Sequence, residues 1–429
     1  MTVRRTALTL LSALEERGGF ANLLLSDAVL ARAGDDAALL CALFYGTVER
    51  RLTLDYAIGV LSSRDTESLT VHTRNLLRLG LYQIYFMKIP AHAATDKTVT
   101  LGENKGERAL VNAVLRRASS TPLPLPPVGR RARHLSVKYS FPLSTVRFFL
   151  SLYGERETEA LLSAFNEVSP LTLTVNEGRV TREEYLSCLN SSGIPAAPTA
   201  YAKGSIRLAG SMSPERLPHF ADGYFLVQDE ASSLAKEALG AVRGDTIVDV
   251  CSAPGGKILS AATSIGGEGS FYAFDLHESK LSLIRESAER LGVFVTVRPC
   301  DATKGDNTLF GKADKVICDV PCSGLGVLGK KPDLRYRERN EDLAPLGLEI
   351  LNTSAKYLKA GGVLLYSTCT LSPDENEENV RRFLDTHPDF VPVDFSFGGG
   401  LASENGCLTL LPHKHGTDGF FMAKLMKRI

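Results

Sequence analysis

The chain has 429 residues, enough for two or three domains of ordinary size, and its 44% hydrophobic and 23% charged content excludes a disordered or fibrous protein. Its 49 Lys and Arg balance 49 Asp and Glu, which excludes a uniformly basic nucleic-acid coat and a strongly acidic tail. The balance is a cancellation between two ends: residues 1–138 hold 19 basic against 12 acidic side chains, and residues 139–429 hold 30 against 37.

Residues 1–14 place Ala7, Leu10, Leu11 and Leu14 at helical spacing, and Glu15, Glu16 and Arg17 follow without a small-residue cleavage site. That is an amphipathic first helix rather than a signal peptide. Leu39, Leu40, Leu43 and Phe44 mark a second stripe, and Leu76, Leu77, Leu81 and Ile84 a third. Leu110, Val111, Val114 and Leu115 end the last helix before Arg116 and Arg117. An all-α domain over residues 1–121 follows. Pro122, Pro124, Pro126 and Pro127 forbid a helix, so residues 122–129 read as a stiff extended linker and the clearest domain boundary.

Residues 130–225 read as a small α+β module, helical over 145–165 and 183–190 with a short strand at 171–176. From 226 to 429 strands and helices alternate. Strands are expected at 246–251, 270–275, 294–301, 315–320 and 362–369, helices at 279–291 and 343–358, and a last strand at 420–425. This alternation predicts a doubly wound α/β domain with its site at the carboxyl ends of the strands. No apolar run reaches membrane-spanning length, so a cytoplasmic monomer without a membrane partner is expected. Eight cysteines are too few for a disulfide scaffold, and the closest pair, Cys318 and Cys322, has no second pair at ligand spacing, so no metal is expected.

Four strand ends carry reactive residues. The first leads into Cys251, Ser252, Ala253, Pro254, Gly255, Gly256 and Lys257, a strand-to-helix turn whose glycines admit a ligand close to the backbone. It is not the dinucleotide fingerprint G-x-G-x-x-G. Asp275 ends the second strand, where an acid accepts ribose hydroxyls, and Asp301 ends the third, where an adenine edge would lie. Glycines, a lysine and two acids fit adenosine with an amino-acid tail, S-adenosylmethionine, better than a dinucleotide. The fourth strand ends at Asp319, Val320, Pro321 and Cys322, and the fifth at Thr368 and Cys369, so two thiols should share one cleft. Cys251, Cys300 and Cys318 read as small buried hydrophobes.

Two thiols beside a methyl donor suit carbon-5 of a pyrimidine. A thiolate adding to carbon-6 turns the ring into an enamine whose carbon-5 attacks the methyl group. Asp319 is placed to stabilise the charge that develops on the ring. Local sequence does not decide which thiol attacks. A DNA cytosine-5 methyltransferase and a non-catalytic RNA assembly or antitermination factor are the competing readings.

These motifs resemble the RNA 5-methylcytosine methyltransferases of the Sun/nucleolar-antigen type, which pair a Pro-Cys with a Thr-Cys motif. The resemblance implies a Rossmann-like core, with Cys369 as nucleophile, Cys322 aiding product release and Asp319 contacting the base. It further implies that residues 251–257, Asp275, Asp301 and Asp319 surround S-adenosylmethionine. Residues 372–377 and 417–421 also look like that family. The first part resembles a NusB-type RNA-binding domain through Tyr45-Gly46-Thr47, Leu79-Gly80-Leu81-Tyr82-Gln83 and residues 111–117. The fusion implies one cytosine of small-subunit (16S) ribosomal RNA as target. The middle module departs from the pattern, with Thr174 where the family carries Arg. Arg116, Arg117, Arg130, Arg131, Arg133 and Lys138 near the linker, and Lys330, Lys331, Arg335, Arg337 and Arg339 beyond Cys322, form two basic patches expected to meet phosphate. The target base would be unstacked into the cleft.

Overall fold

The computed structural model describes residues 2–210, 212–338 and 340–429. Its packing divides the chain into two compact units, Met1–Glu167 with Leu328–Arg337, and Val168–Val327 with Glu338–Ile429. Arg339 lies outside the described residues.

The first unit is helical: α1 Val3–Arg17, α2 Ala21–Leu24, α3 Asp27–Ala33, α4 Ala37–Glu49, α5 Arg51–Ser62, α6 Val71–Tyr85, α7 Ala91–Val99, α8 Lys105–Ser120, α9 Arg131–Tyr139 and α10 Leu143–Ala164. The stripes read from the sequence form its core, with Leu11, Leu40, Leu43, Phe44, Leu76, Leu77, Val111 and Leu115 in one buried cluster. Helices α4 and α6 approach so closely at Gly46 that a Cβ there would stand 1.9 Å from the Tyr82 hydroxyl oxygen. One polar knot crosses this core. Glu15 accepts from Arg74, Asn75 and Arg78, and Arg78 also donates to both oxygens of Asp55 at 2.6 and 2.8 Å. Burial alone would raise the Glu15 carboxyl, but Arg78 and Arg74 outweigh it and hold it below its usual range.

The proline spacer does not end this unit. Helices α9 and α10 pack on it, with Thr53 Oγ1 donating to Val137 O at 2.5 Å and Leu52 N to Ser140 Oγ at 3.0 Å. The packing break falls after Glu167 instead. The expected α+β module is therefore divided between the two units. Prolines fix an extended backbone, but buried contacts on either side decide where a unit ends.

The second unit holds two sheets. The smaller is antiparallel, built from β1 Thr172–Val175, β2 Ala196–Pro198, β3 Ser205–Leu208 and β4 Phe225–Val227 in the order β2-β3-β1-β4, with α11 Arg182–Ser191 on it. Thr174 is buried in this sheet, and its hydroxyl lies 2.8 Å from Ser233 Oγ. The larger sheet follows α12 Glu230–Leu239. It runs through β5 Thr246–Asp249, α13 Gly256–Ser264, β6 Ser270–Asp275, α14 Glu278–Leu291, β7 Thr296–Pro299, β8 Ala313–Asp319, α15 Leu343–Ser354, β9 Leu358–Thr368, α16 Glu377–Thr386, β10 Phe390–Pro392, β11 Cys407–Leu410 and β12 Phe420–Lys427.

Its order is β10-β12-β9-β8-β5-β6-β7, with β11 also on β12. Strands β9 to β7 are parallel, and β12 is antiparallel to β9. Alternation along each strand feeds two cores. Ile247, Ile317 and Leu365 pack with α12, α13 and α14, while Val248, Val316, Cys318 and Leu364 pack with α15 and α16. This is the doubly wound α/β domain expected from the sequence. No helix among the described residues is long and apolar enough to cross a membrane.

The basic patches divide on inspection. Arg116, Arg117, Lys330 and Lys331 are exposed, as phosphate contact requires. Arg131 and Lys138 are both committed to Glu159. Arg335 overturns its reading as an RNA contact, for it is 2% exposed. It donates to Leu328 O, Phe165 O, Glu49 O and Asn166 Oδ1 at 2.7 to 3.3 Å and lies over the Phe141 ring. Four of its five N–H groups are committed inside the protein, and burial keeps the side chain from phosphate. Arg335→Ala should therefore destabilise the protein, by about 1–3 kcal/mol for each buried acceptor left unpaired. Urea unfolding of the full chain measures this, and an unchanged midpoint would contradict the structural role.

Candidate active site

The register of the large sheet decides which side chains meet. Parallel pairing sets Asp319 of β8 opposite Ser367 of β9, and β5 lies on the other flank of β8 with Asp249 opposite Ile317. Strands β5 to β7 proceed one way from this point and β8 to β9 the other, so their carboxyl ends open a crevice at the switch.

Beyond β5 the chain turns sharply into α13. Ser252 N donates to Phe274 O at 2.7 Å and Gly255 N to Ser252 O at 2.6 Å. Gly255 takes φ of +101°, and a Cβ there would stand 3.1 Å from Leu259 and 3.2 Å from Ile284. A side chain would be strained by both conformation and space. The turn presents the N-terminus of α13, whose first N–H groups have no partner within the helix. Asp249 Oδ1 and Ser252 Oγ are buried beside it with no hydrogen-bond partner. Asp275 ends β6, buried, its Oδ1 accepting from His277 N at 3.1 Å. Asp301 follows β7 and accepts from Thr303 N and Oγ1, while Lys304 lies 3.1 Å away. Thr303 and Lys304 together hold its carboxyl below the usual range.

Asp319 is gripped on both oxygens. Lys257 Nζ donates to Oδ2 at 2.6 Å and Ser367 Oγ to Oδ1 at 2.7 Å. The Lys257 side chain is 13% exposed and that of Asp319 29%. Burial pushes the Lys257 ammonium down, but Asp319 and Asp249 outweigh it and raise its pKa. Asp249, 1% exposed, is pushed up to about 7 by burial and by the charge of Asp319.

The two cysteine sulfurs of the strand-end motifs, Cys322 and Cys369, lie 3.3 Å apart. Their loops are tied at several points. Gly326 N donates to Cys369 O and Gly419 N to Gly326 O, both at 2.9 Å. A Cβ on Gly326 would stand 2.0 Å from Gly419 O, so only glycine allows this stacking of backbones. Ser323 donates from N and Oγ to the two Glu375 oxygens at 2.8 and 2.6 Å. Thr368 Oγ1 donates to Asn376 Oδ1 at 2.6 Å, and Asn376 Nδ2 returns to Thr370 O at 3.0 Å. The Cys322 thiol is pushed well up by the adjoining Cys369 sulfur and by burial.

Sequence reasoning did not single out Ser367, Ser323, Glu375, Asn376 or Asp249. Ser367 had a readable signal, since it lies inside β9 two residues before Cys369, the side-chain period of a strand. Glu375 and Asn376 sit in the segment 372–377, where the spacing gave no role. Of the three cysteines taken as core hydrophobes, Cys318 is fully buried, whereas Cys251 and Cys300 are only partly so.

Three family models match the chain: 16S rRNA methyltransferase RsmB/F over residues 236–426, NusB family over 1–120, and the RsmF/B-like ferredoxin-like domain over 145–214. The chain is 33% identical to Probable ribosomal RNA small subunit methyltransferase B of Bacillus subtilis, covering 100% of this chain and 99% of the relative. It is 33% identical to ribosomal RNA small subunit methyltransferase B of Pseudomonas putida, with 91% of each covered. Among solved structures, PH0851 aligns at TM-score 0.81 and 26% identity over 100% of this chain and 99% of its own. NSun6 from Pyrococcus horikoshii, solved with SFG, aligns at TM-score 0.60 and 25% identity over 67% of this chain and 99% of its own. With the relatives matched over nine-tenths or more of their length and the core model lying over the crevice-bearing sheet, the chain belongs to the ribosomal RNA small subunit methyltransferase B family.

Proposed function

We propose that the protein transfers a methyl group from S-adenosylmethionine to carbon-5 of a cytosine in small-subunit ribosomal RNA, through a covalent bond to Cys369. The observation that carries this reading is the pair of sulfurs 3.3 Å apart beside a carboxylate gripped on both oxygens. The relatives' names support the ribosomal RNA substrate, and the NSun6 structure with SFG, an S-adenosylmethionine analogue, supports the cofactor.

The turn 251–257 fits that cofactor. Its left-handed glycine leaves backbone accessible, and Asp249 Oδ1 and Ser252 Oγ are buried polar atoms available to an amino-acid tail. Asp275 suits ribose hydroxyls, and Asp301 marks the adenine side. When bound, the cofactor supplies an electrophilic methyl group.

The chain's own residues do the rest. The family resemblance makes Cys369 the sulfur that attacks carbon-6, with the Cys322 thiol, pushed up by the Cys369 sulfur and by burial, beside it. The Lys257 ammonium is within electrostatic reach of Cys369 and favours an anionic sulfur. Asp319, fixed by Lys257 and Ser367, accepts from the amino group on the cytosine edge and holds the ring in place for attack. After methyl transfer and loss of the carbon-5 proton, the bond from Cys369 to carbon-6 breaks and the ring regains its double bond. Cys322, a protonated thiol in contact with Cys369, assists that departure. The exposed Arg116, Arg117, Lys330 and Lys331 meet phosphate.

Cys369→Ala should abolish transfer of labelled methyl to 16S ribosomal RNA, by at least about a thousandfold. Cys322→Ala should instead accumulate a protein–RNA adduct that survives denaturing electrophoresis. An adduct with Cys369→Ala and none with Cys322→Ala would reverse the two roles. A second outcome follows from Asp249. Folding raises its pKa from 3.8 to about 7, so the fold favours the protonated form. Stability should fall as pH rises from about 4 to about 7 and level off above, because the unfolded chain releases this proton earlier. Asp249→Asn removes that fall. The stability gain of the variant should grow across this window to at most about 4 kcal/mol, read by urea unfolding without ligand. An equal difference at pH 5 and pH 8 would count against the buried carboxylate.

A further inference from the structure

A cavity of about 340 Å³ opens within the first unit, walled by α1, α4, α6 and the segment Leu328–Arg337. Its size lies in the range of sites for small organic ligands. Thr47 lines it at 1% exposure, and the Thr47 hydroxyl has no hydrogen-bond partner. Arg51 Nε and Asp333 Oδ2 line the same cavity and are also buried without a hydrogen-bond partner. Glu15, also on the wall, is held by Asn75 and Arg78 at 2.8 and 2.7 Å. Buried polar atoms are almost always paired in folded proteins, so three orphans around one cavity point to a polar occupant.

Flat groups flank these orphans. The Arg337 guanidinium lies 3.9 Å from the centroid of the Phe20 ring, which is 43% exposed, and that of Arg51 lies 5.2 Å from the Tyr336 ring. Arg337 donates to Gly19 O at 2.7 Å and stands 3.6 Å from Asp333 Oδ2, beyond hydrogen-bond reach. Aromatic and guanidinium planes are surfaces on which unpaired bases stack. The polar atoms select among bases. A carboxylate accepts the adjacent N1–H and 2-amino donors of guanine, and a guanidinium donates to its O6 and N7. Adenine sets an acceptor nitrogen beside its only amino group, which a carboxylate repels.

We propose that this cavity binds a guanine base. Guanine of single-stranded RNA and of a free nucleotide offer the same edge; assigning it to RNA rests on the methyltransferase reading, whereas the base chemistry does not. The full chain should bind a fluorescein-labelled uridine hexanucleotide with one central guanosine at least about five-fold more tightly than the adenosine counterpart, by anisotropy at fixed salt. Inosine, lacking the 2-amino group, should lose part of that gain. Asp333→Asn and Thr47→Val should each shrink the preference while leaving the adenosine oligonucleotide unchanged. Displacement by GMP and not by AMP would support a site for the isolated base edge. Retained preference without GMP competition would support a site that needs the RNA chain. Equal affinity for the guanosine and adenosine oligonucleotides in the native chain overturns the proposal, as does a preference intact in both variants. Calorimetry with S-adenosylmethionine separates the two readings, for failure to bind it beside a retained guanosine preference sinks the enzyme and leaves the cavity.

Discussion

The parallel pairing of β8 with β9 is the constraint on which the candidate chemistry rests. It sets Asp319 opposite Ser367, and from those ends the chain needs only a few residues to reach Cys322 and Cys369. A slip of one residue in this register would turn Ser367 to the other face of the sheet and carry Cys369, just past the strand, with it. Nothing local would repair it, because the hydroxyl that holds Asp319 lies on that face and the residue whose sulfur meets Cys322 follows directly after the strand. The two cores enforce the register. Leu364 and Tyr366 enter one, Leu365 the other, and each has a matched volume to fill.

Pairing brings the loops close, and a second set of bonds fixes the sulfurs. Glu375 takes both a backbone and a hydroxyl donor from Ser323, the residue after Cys322. Asn376 spans Thr368 and Thr370 on either side of Cys369. The backbone of Gly326 runs between Cys369 and Gly419. These contacts leave the sulfurs little freedom to separate. They also give the segment 372–377 a structural role. It is the clamp beneath the cysteines.

Much of this was legible in the sequence because parallel sheets have a strong signature. Strands ended in Asp249, Asp275 and Asp319 within a residue or two of the positions read from alternation, since a buried apolar run must stop where a polar ligand site begins. The Gly255-Gly256 turn was legible for the same reason. What stayed hidden depended on contacts distant in sequence. That the first compact unit runs on past the prolines could not be read locally, because Thr53 and Val137, 84 residues apart, bond across them. Ser367 needed the β8–β9 register before it had a partner, and Glu375 needed Ser323, 52 residues away. The elements were local properties, and the joins between them were not.

Charge shows the same limit most sharply. The basic surplus of residues 1–138 suggested a surface for a polyanion, but a count of arginines does not distinguish a charge in solvent from one spent inside. Arg74 and Arg78 are nearly buried on Glu15 and Asp55, and Arg131 and Lys138 are bound to Glu159. Arg335, inside the second patch, hydrogen-bonds carbonyl oxygens throughout. Only a cation that can displace counterions contributes to the salt dependence of RNA binding, about 0.7 in the logarithmic slope per phosphate on a single strand. Each arginine committed to the fold lowers the slope that the composition would suggest. The surplus therefore divides: part of it holds the helices together through charged hydrogen bonds, and another part, Arg116, Arg117, Lys330 and Lys331 among it, stands exposed at the surface.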